Sequence, residues 1–258
     1  MNPPTAISSQ DVEIDIVIPV YNEGENIVAC LNALRRDVRA RFRILICYDF
    51  DEDETLMAIK DQTLSGIDIV AVRNLRPGVH GAVVSGLRAG TAPAAVIFPA
   101  DDDYNAGRID AMLESFRTGA DIVVGCRMTP NSRWRNIPLL KRFFPWVASG
   151  LLRLLAGFPT RDATNGIRLF SRRIIDAVEI ESSVGFTYAI ELTAKAHRLG
   201  WSIRDVGVDW IARSAGESRF RLLAWIPEYL PWFFYALATV WLRRGPETVP
   251  MRPAPKST

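Results

Sequence analysis

Histidine and cysteine are scarce: the 258 residues hold two of the first and three of the second. Cys30, Cys47 and Cys126 are odd in number, and no metal-ligand spacing links them. They lie in apolar or strand-like stretches and read as reduced core thiols of a cytosolic chain. Neither histidine is a strong signal. His80 falls in an expected loop, and His197 sits on a charged helical stretch that gives it a structural reading. Net charge is small as well, +2, which argues neither for nor against nucleic acid. The opening MNPPTAISSQDVE lacks the charged-then-apolar pattern of a secretory leader, so secretion is not expected; the expected place is the cytoplasm, peripheral or weakly anchored at the inner face of the membrane. No internal repeat is visible. One long apolar run exists, Leu222–Leu242, with Glu228 as its single charge. Its length could span a bilayer, but Pro227, Glu228 and Pro231 interrupt its first half and no second span follows. Arg219 and Arg221 before it and Arg243 and Arg244 after it give no topology signal. An interfacial segment with aromatic anchors is favoured over a span.

What the chain does have begins at Ala94–Arg108, AAVIFPADDDYNAGR. An apolar run of that kind reads as a buried strand. It ends in Asp101, Asp102 and Asp103, three carboxylates that repel one another unless a cation or a basic cluster is near. Alternate residues of an extended chain point the same way, so Asp101 and Asp103 can face one point. A hard divalent cation carrying a nucleotide diphosphate suits that point. A solvated acidic turn capping the next helix is the alternative. Charge is also uneven. Arg127–Arg173 holds nine Arg and one Lys against one acid, Asp162, a block suited to phosphates or an anionic membrane surface.

Length fits one large domain or one and a half, and 48% apolar content is ordinary for a globular chain. Strands are expected at 13–20, 43–48, 67–72, 94–98 and 121–125. Helices are expected between them near 27–34, 55–62, 82–89 and 109–117. Such alternation predicts a mostly parallel sheet with helices on both faces and ligands outside the carboxyl ends of the strands. Val20-Tyr21, Asp49, Arg76–Gly81 and Asp101–Asp103 all fall there. Further along, Ile137–Phe158 reads as an amphipathic helix or one packed on the sheet. Phe186–Leu199 reads as a helix and Ser202–Trp210 as a late strand. The expected organisation is a loose 1–11, a catalytic-size domain over 12–220, an apolar interfacial or membrane segment over 221–244, and a disordered proline-bearing tail over 245–258.

These pieces together resemble the family 2 glycosyltransferases of the GT-A fold, within them the polyprenyl- or dolichol-phosphate mannosyltransferase-like branch. The resemblance runs from about Asp15 to Phe220. Val17–Glu23 (VIPVYNE) is similar to the first-strand motif. Cys47–Thr55 stands in the place of the acidic turn after the second strand. Gly81-Ala82 with Gly86 resembles the glycine-bearing helix start, and Pro99–Asp103 the DxD-like motif. Gly125-Cys126-Arg127, Asp162–Arg168, Gly185-Phe186 with Glu191, and Arg213–Arg219 resemble the later motifs in the same order. The acidic turn departs from the family pattern at Tyr48, Phe50 and Asp51. Pro99 stands where the first Asp of the DxD motif is usual, and Asn165 replaces a usual Ser.

The resemblance implies an α/β, Rossmann-like GT-A domain that moves a hexose from a nucleotide sugar to a polyprenyl phosphate, inverting and metal-dependent. GDP-mannose is the first choice of donor and UDP-glucose or another UDP-sugar the second. Pro19, Tyr21, Glu23 and Asp49 would bind the nucleotide. Tyr21 offers a ring face and Glu23 an acceptor for base N–H groups; packing and a helix-start charge are their ordinary alternatives. Asp51 and Asp53 have a solvated reading, and His80 could approach the nucleotide. Asp101 and Asp103 would hold Mg²⁺ or Mn²⁺, with Asp102 able to substitute for either. Arg127 and Arg168 would supply cationic contacts, Asp162 would orient Arg168 or its loop, and Arg213, Ser218 and Arg219 would meet the acceptor phosphate. Glu191 is the candidate base should the acceptor be a hydroxyl; helix solvation or an ion pair is the alternative. A membrane surface is an expected partner and nucleic acid is not. Transfer to a soluble or cell-envelope acceptor, and a binding or scaffold protein without turnover, are the other readings.

Overall fold

The structure is a computed structural model that describes residues 12–24, 26–60, 67–211 and 222–253. Its first half alternates strand and helix: β1 (Ile14–Pro19), α1 (Asn26–Asp37), β2 (Phe42–Tyr48), α2 (Glu54–Lys60), β3 (Asp68–Arg73), α3 (Gly78–Ala89), β4 (Ala94–Ile97), α4 (Arg108–Arg117) and β5 (Ile122–Cys126). The second half runs β6 (Trp134–Arg135), α5 (Leu139–Ala156), β7 (Arg168–Ser171), α6 (Arg172–Ala177), α7 (Thr187–Arg198), β8 (Ile203–Gly207), β9 (Trp210–Ile211) and α8 (Leu222–Trp241). A short 3₁₀ turn, Pro246–Thr248, follows.

Seven strands form one sheet in the order β3-β2-β1-β4-β7-β5-β8. Uninterrupted apolar strands suit a sheet covered on both faces, and β1 and β4 occupy its middle. Ile14, Ile16 and Ile18 of β1 pack with α1 and α4 on one face, whereas Val17 packs with α3 on the other. Gly86 allows α3 to lie that close. A Cβ at this position would sit 2.3 Å from Val17 Cγ1 and 2.7 Å from Cys47 Sγ.

One strand runs against the rest. β7 is antiparallel to both β4 and β5. Sequence reading misses it because its four residues begin with an arginine, which does not look like a buried strand. The expected late strand over 202–210 is split. β8 joins the sheet, and β9 pairs with β6 in a separate two-stranded ribbon.

α5, α7 and α8 build a third core, in which Leu152, Ala156, Ile190, Ala194 and Ala236 are buried with Trp232 and Phe233 packed against them. α8 continues through Pro227 and Pro231, although each proline removes one helix donor. It packs on α7, where Lys195 lies over the Trp232 ring and Arg198 over Tyr235. Among the described residues no helix is long and apolar enough to cross a membrane.

The expectation of a disordered tail does not hold for 245–253. Val249 is buried, Val178 and Met251 form an antiparallel bridge, and Arg252 N donates to Ala177 O at 2.9 Å. A buried apolar residue and backbone pairing outweigh the composition signal of the prolines. Residues 1–11 lie outside the described residues.

Candidate active site

The carboxyl ends of β1, β2 and β4 open onto a cleft of about 1170 Å³. At one end its wall is polar: Tyr21, Glu23, Asp49, Gly78, Asp101, Asp102, Arg127, Thr164, Asn165 and Asp209 line it. At the other end it becomes an apolar trench, walled by Phe143, Val147 and Leu151 of α5, Phe186 and Ile190 near α7, and Tyr229, Leu230 and Phe233 of α8. From Pro138 to Leu152 this lining follows α5 for about 20 Å, at about 1.5 Å per residue.

The nucleotide-side expectations fall together. Pro19, Tyr21, Glu23 and Asp49 all line the polar end. Tyr21 is 47% exposed and stands edge-on to Phe50, ring centroids 5.5 Å apart. Asp49 closes the β2 end onto the start of α3, accepting from Asn74 Nδ2 at 2.7 Å and from Gly78 N at 2.9 Å. Asp53 corrects the solvated reading. It is fully buried and its carboxylate accepts from Asn22 N and Thr55 N, which pins the turn after β1 to the turn before α2. Asp51 is exposed and pairs with Arg73.

The acidic triplet separates into three environments. Asp101 lines the cleft. Asp102 turns inward, 4% exposed, and accepts from Tyr104 N, Asn105 N and Asn105 Nδ2. Burial pushes its carboxyl up to about 6 against these hydrogen bonds. Asp103 is exposed and absent from the cleft wall, a correction to the pairing of Asp101 with Asp103 as metal ligands. The loop turns at 101–105 instead of staying extended, so alternate side chains no longer share a direction.

Arg127 stands in the cleft wall, held by Asp162. Its Nε and Nη2 donate to the two Asp162 oxygens at 2.7 and 2.8 Å, and Nη2 also reaches Thr164 Oγ1 at 2.9 Å. Burial works against both charges, but the partners overcome it. Asp162 is held below the usual carboxylate range and Arg127 above its own. The guanidinium lies 4.4 Å over the Trp210 ring.

Arg168 and Glu191 are corrections, since neither lines the cleft. Arg168 is fully buried beneath it, donating to Asn165 O at 3.0 Å, Ala189 O at 2.7 Å, Asp162 O at 3.1 Å, Ala163 O at 2.7 Å and the Thr193 hydroxyl. Burial draws its charge equilibrium down to about 10. Glu191 is also fully buried on α7. It accepts from Glu181 N at 2.6 Å, Ser182 N at 2.9 Å and Lys195 Nζ at 2.7 Å, holding the segment before α7. His80 belongs to the first turn of α3, buried, with Nε2 2.9 Å from Ser182 Oγ. It does not line the cleft, and burial lowers its basicity. His197 Nε2 lies 3.1 Å from Ala156 O, a packing role. Arg213, Ser218 and Arg219 lie outside the described residues.

Sequence reading missed Asn105, Asp209 and Trp210 of this region. The Asp102-x-x-Asn105 spacing is turn chemistry that could have signalled the first of these. Nothing local marks the other two.

A comparison with known proteins agrees with this geometry. The family profile described as Glycosyl transferase family 2 matches residues 15–178, more than half of the chain. An undecaprenyl-phosphate mannosyltransferase of Micrococcus luteus is 28% identical over 213 residues, covering 79% of this chain and 85% of that protein. A polyprenol monophosphomannose synthase of Mycolicibacterium smegmatis is 27% identical over 212 residues, 79% of each. Among solved structures, glucosyl-3-phosphoglycerate synthase of Mycobacterium tuberculosis with UDP superposes with a TM-score of 0.62 at 17% identity, covering 89% of this chain and 82% of that one. With its mixed sheet and its cleft at the strand ends, the chain belongs to glycosyl transferase family 2 and is a nucleotide-sugar-dependent glycosyltransferase.

Proposed function

We propose that this enzyme transfers a hexose, mannose from GDP-mannose first and glucose from UDP-glucose second, to a polyprenyl phosphate at a membrane surface. The observation that carries this is the two-part cleft, a polar end continuous with an apolar trench about 20 Å long. A soluble phosphate acceptor has no use for such a trench, whereas a prenyl chain buries apolar surface along it. The names of the Micrococcus and Mycolicibacterium relatives support the same acceptor class.

The polar end is rich in carboxylates. Among the described residues lining it, Glu23, Asp49, Asp101, Asp102 and Asp209 face one guanidinium, Arg127, whose charge Asp162 already offsets. A nucleotide diphosphate entering there needs a further cation. No three His, Cys, Asp or Glu side chains form a ready-made cage among the described residues. The donor set fits the other arrangement, in which a hard cation takes one or two carboxylates and completes its shell from substrate phosphates. Asp101 would hold it. Bound Mg²⁺ or Mn²⁺ would offset charge developing on the leaving diphosphate.

The residues of the chain do the rest. Tyr21 and Glu23 offer the base a ring face and an acceptor. Arg127, fixed by Asp162 and Trp210, offers a pre-positioned N–H donor to the sugar-phosphate region. The acceptor phosphate oxygen attacks the anomeric carbon as the glycosyl–oxygen bond to the diphosphate breaks, inverting the configuration. A phosphate is already anionic at neutral pH, so positioning matters more than a base. The commitment of Glu191 to Lys195 and two backbone amides is in keeping with this.

The direct test offers purified protein Mn²⁺, polyprenyl phosphate and labelled GDP-mannose or UDP-glucose in parallel. Label entering the organic phase is expected, and the donor that delivers it is identified at once. Nucleotide-sugar turnover with no lipid product would turn the reading to a soluble or cell-envelope acceptor. Nucleotide binding without turnover would turn it to a scaffold.

The outer faces of α5 and α8 support peripheral attachment to the membrane. Leu139, Trp146 and Leu154 are exposed on α5, and Phe234 and Trp241 on α8. Trp146 and Leu154 lie outside the cleft lining. Burying each is worth about 1.5–3 kcal/mol. The double variant Trp146→Glu/Leu154→Glu should bind anionic vesicles at least about tenfold more weakly, with turnover on a short, water-soluble prenyl phosphate unchanged. Equal vesicle binding would place the membrane-facing surface elsewhere.

A further inference from the structure

One side chain ties the loop that carries Asp101 to the ribbon strand β9. Asn105 is 1% exposed. Its Nδ2 donates to Asp102 Oδ2 at 2.7 Å and to Asp209 O at 3.1 Å, while its Oδ1 accepts from Asp209 N at 2.9 Å. The amide thus presents a donor and an acceptor side by side to the backbone of residue 209, as a neighbouring strand would. Asp102 closes the turn by accepting from Asn105 N at 2.8 Å. Tyr104 adds a second tie, its hydroxyl 3.4 Å from both Ile211 O and Ile211 N.

From β9 the frame continues across the cleft wall. The Asp209 carboxylate accepts from Arg133 N at 2.9 Å, and Trp210 N donates to Arg133 O at 2.8 Å. The Trp210 ring lies beneath Arg127 and edge-on to Trp134, at 4.4 and 5.6 Å. Asp101 on one side and Asp209, Trp210 and Ile211 on the other all line the cleft, whereas Asn105 does not. A buried polar cluster of this kind helps only when each member is satisfied, and then it fixes one geometry.

We infer that Asn105 is a positioning residue for glycosyl transfer: by pairing at once with Asp102 and with the Asp209 backbone, it sets Asp101 at a fixed distance from the Asp209–Ile211 wall. This rests on the reading of Asp101 as the donor-side carboxylate. A group displaced by about 1 Å from its productive position can cost about 100-fold in rate, so loosening this tie between the two walls has a measurable consequence.

The informative variant exchanges the partners, Asp102→Asn with Asn105→Asp. The bonds inside the turn survive, because the amide introduced at position 102 can donate to the carboxylate introduced at position 105 and still accept from the turn's backbone N–H groups. The donor to Asp209 O is lost, and a carboxylate oxygen faces that carbonyl instead. Asn105→Ala removes both sets of bonds and serves as the second variant. The exchange variant should lose a few degrees of Tm, since the Asp209 carbonyl is left without its donor. Assayed well below its transition, it should keep a nucleotide-sugar KM within about threefold, with kcat lowered about 10- to 100-fold. Ser171→Ala removes the N-cap of α6, far from the cleft. It should lower Tm and leave kcat alone.

Hydrogen exchange with Mn²⁺ and GDP or UDP gives a readout that needs no acceptor. In the wild type, the nucleotide should slow exchange in both 101–107 and 208–211. In the exchange variant it should slow only the first. Wild-type kcat in the exchange variant, or protection of both segments, overturns the assignment of Asn105. Absence of lipid product from the wild type overturns the acceptor proposed above and leaves the exchange result readable.

Discussion

Asp101→Asn should lower metal-dependent transfer about 1000-fold while leaving Tm within a few degrees, whereas Asp103→Asn should stay within about twofold of wild type. The contrast comes from position. Asp101 lines the cleft among Glu23, Asp49 and Asp209, and Asp103 is exposed outside it. Asparagine keeps the shape of the side chain but loses the charge that a hard cation needs. About 4 kcal/mol of lost transition-state stabilisation corresponds to about 1000-fold in rate, within what a charge-offsetting group at a leaving diphosphate supplies. Circular dichroism and thermal melts establish the fold of both variants, and a Mn²⁺ titration of kcat reads the effect. An Asp101→Asn enzyme that stays active and metal-dependent would move the cation to other carboxylates of the wall. Loss of activity in Asp103→Asn instead would restore the pairing that alternation in an extended strand suggests.

That contrast also marks where the sequence was legible. β1 and β4 could be read because a continuously apolar run in a parallel sheet is buried on both faces and needs no partner to be recognised. Tyr21, Glu23 and Asp49 could be placed because they follow such strands directly, and ligands gather at those ends. β7 could not, since its burial depends on Arg168 finding carbonyls that lie elsewhere in the chain. The direction of Asp103 could not either, because the inward turn of Asp102 depends on Asn105 and on β9, more than 100 residues away. The tail after α8 reads as disorder from its prolines, but Val249 and Met251 find a place beside Val178 that no local pattern reveals.

Arg168→Met should unfold the protein at a temperature about 10 °C or more below wild type, with little loss of turnover per folded molecule in the cold. The guanidinium is fully buried and spreads its donors over four backbone carbonyls, those of Asp162, Ala163, Asn165 and Ala189, and the Thr193 hydroxyl. It therefore holds the 162–166 loop against α7, and that loop carries Thr164 and Asn165 into the cleft wall and Asp162 onto Arg127. Methionine fills much of the volume and satisfies none of the carbonyls. Each orphaned buried group costs about 1–3 kcal/mol, and loss of one partner from a buried charge cluster costs about 3–5 kcal/mol. At about 2–4 °C per kcal/mol for a chain of this size, the melting point falls by the stated amount. Arg168→Lys should fall nearly as far, because one ammonium cannot reproduce the planar fork. The family resemblance gives Arg168 a place among the catalytic cations, and the two readings predict opposite patterns. An unchanged Tm with kcat reduced about 100-fold would put the guanidinium on the substrate. A lowered Tm with kcat within about threefold, measured well below the transition, keeps it under the cleft as the support of the loop that shapes it.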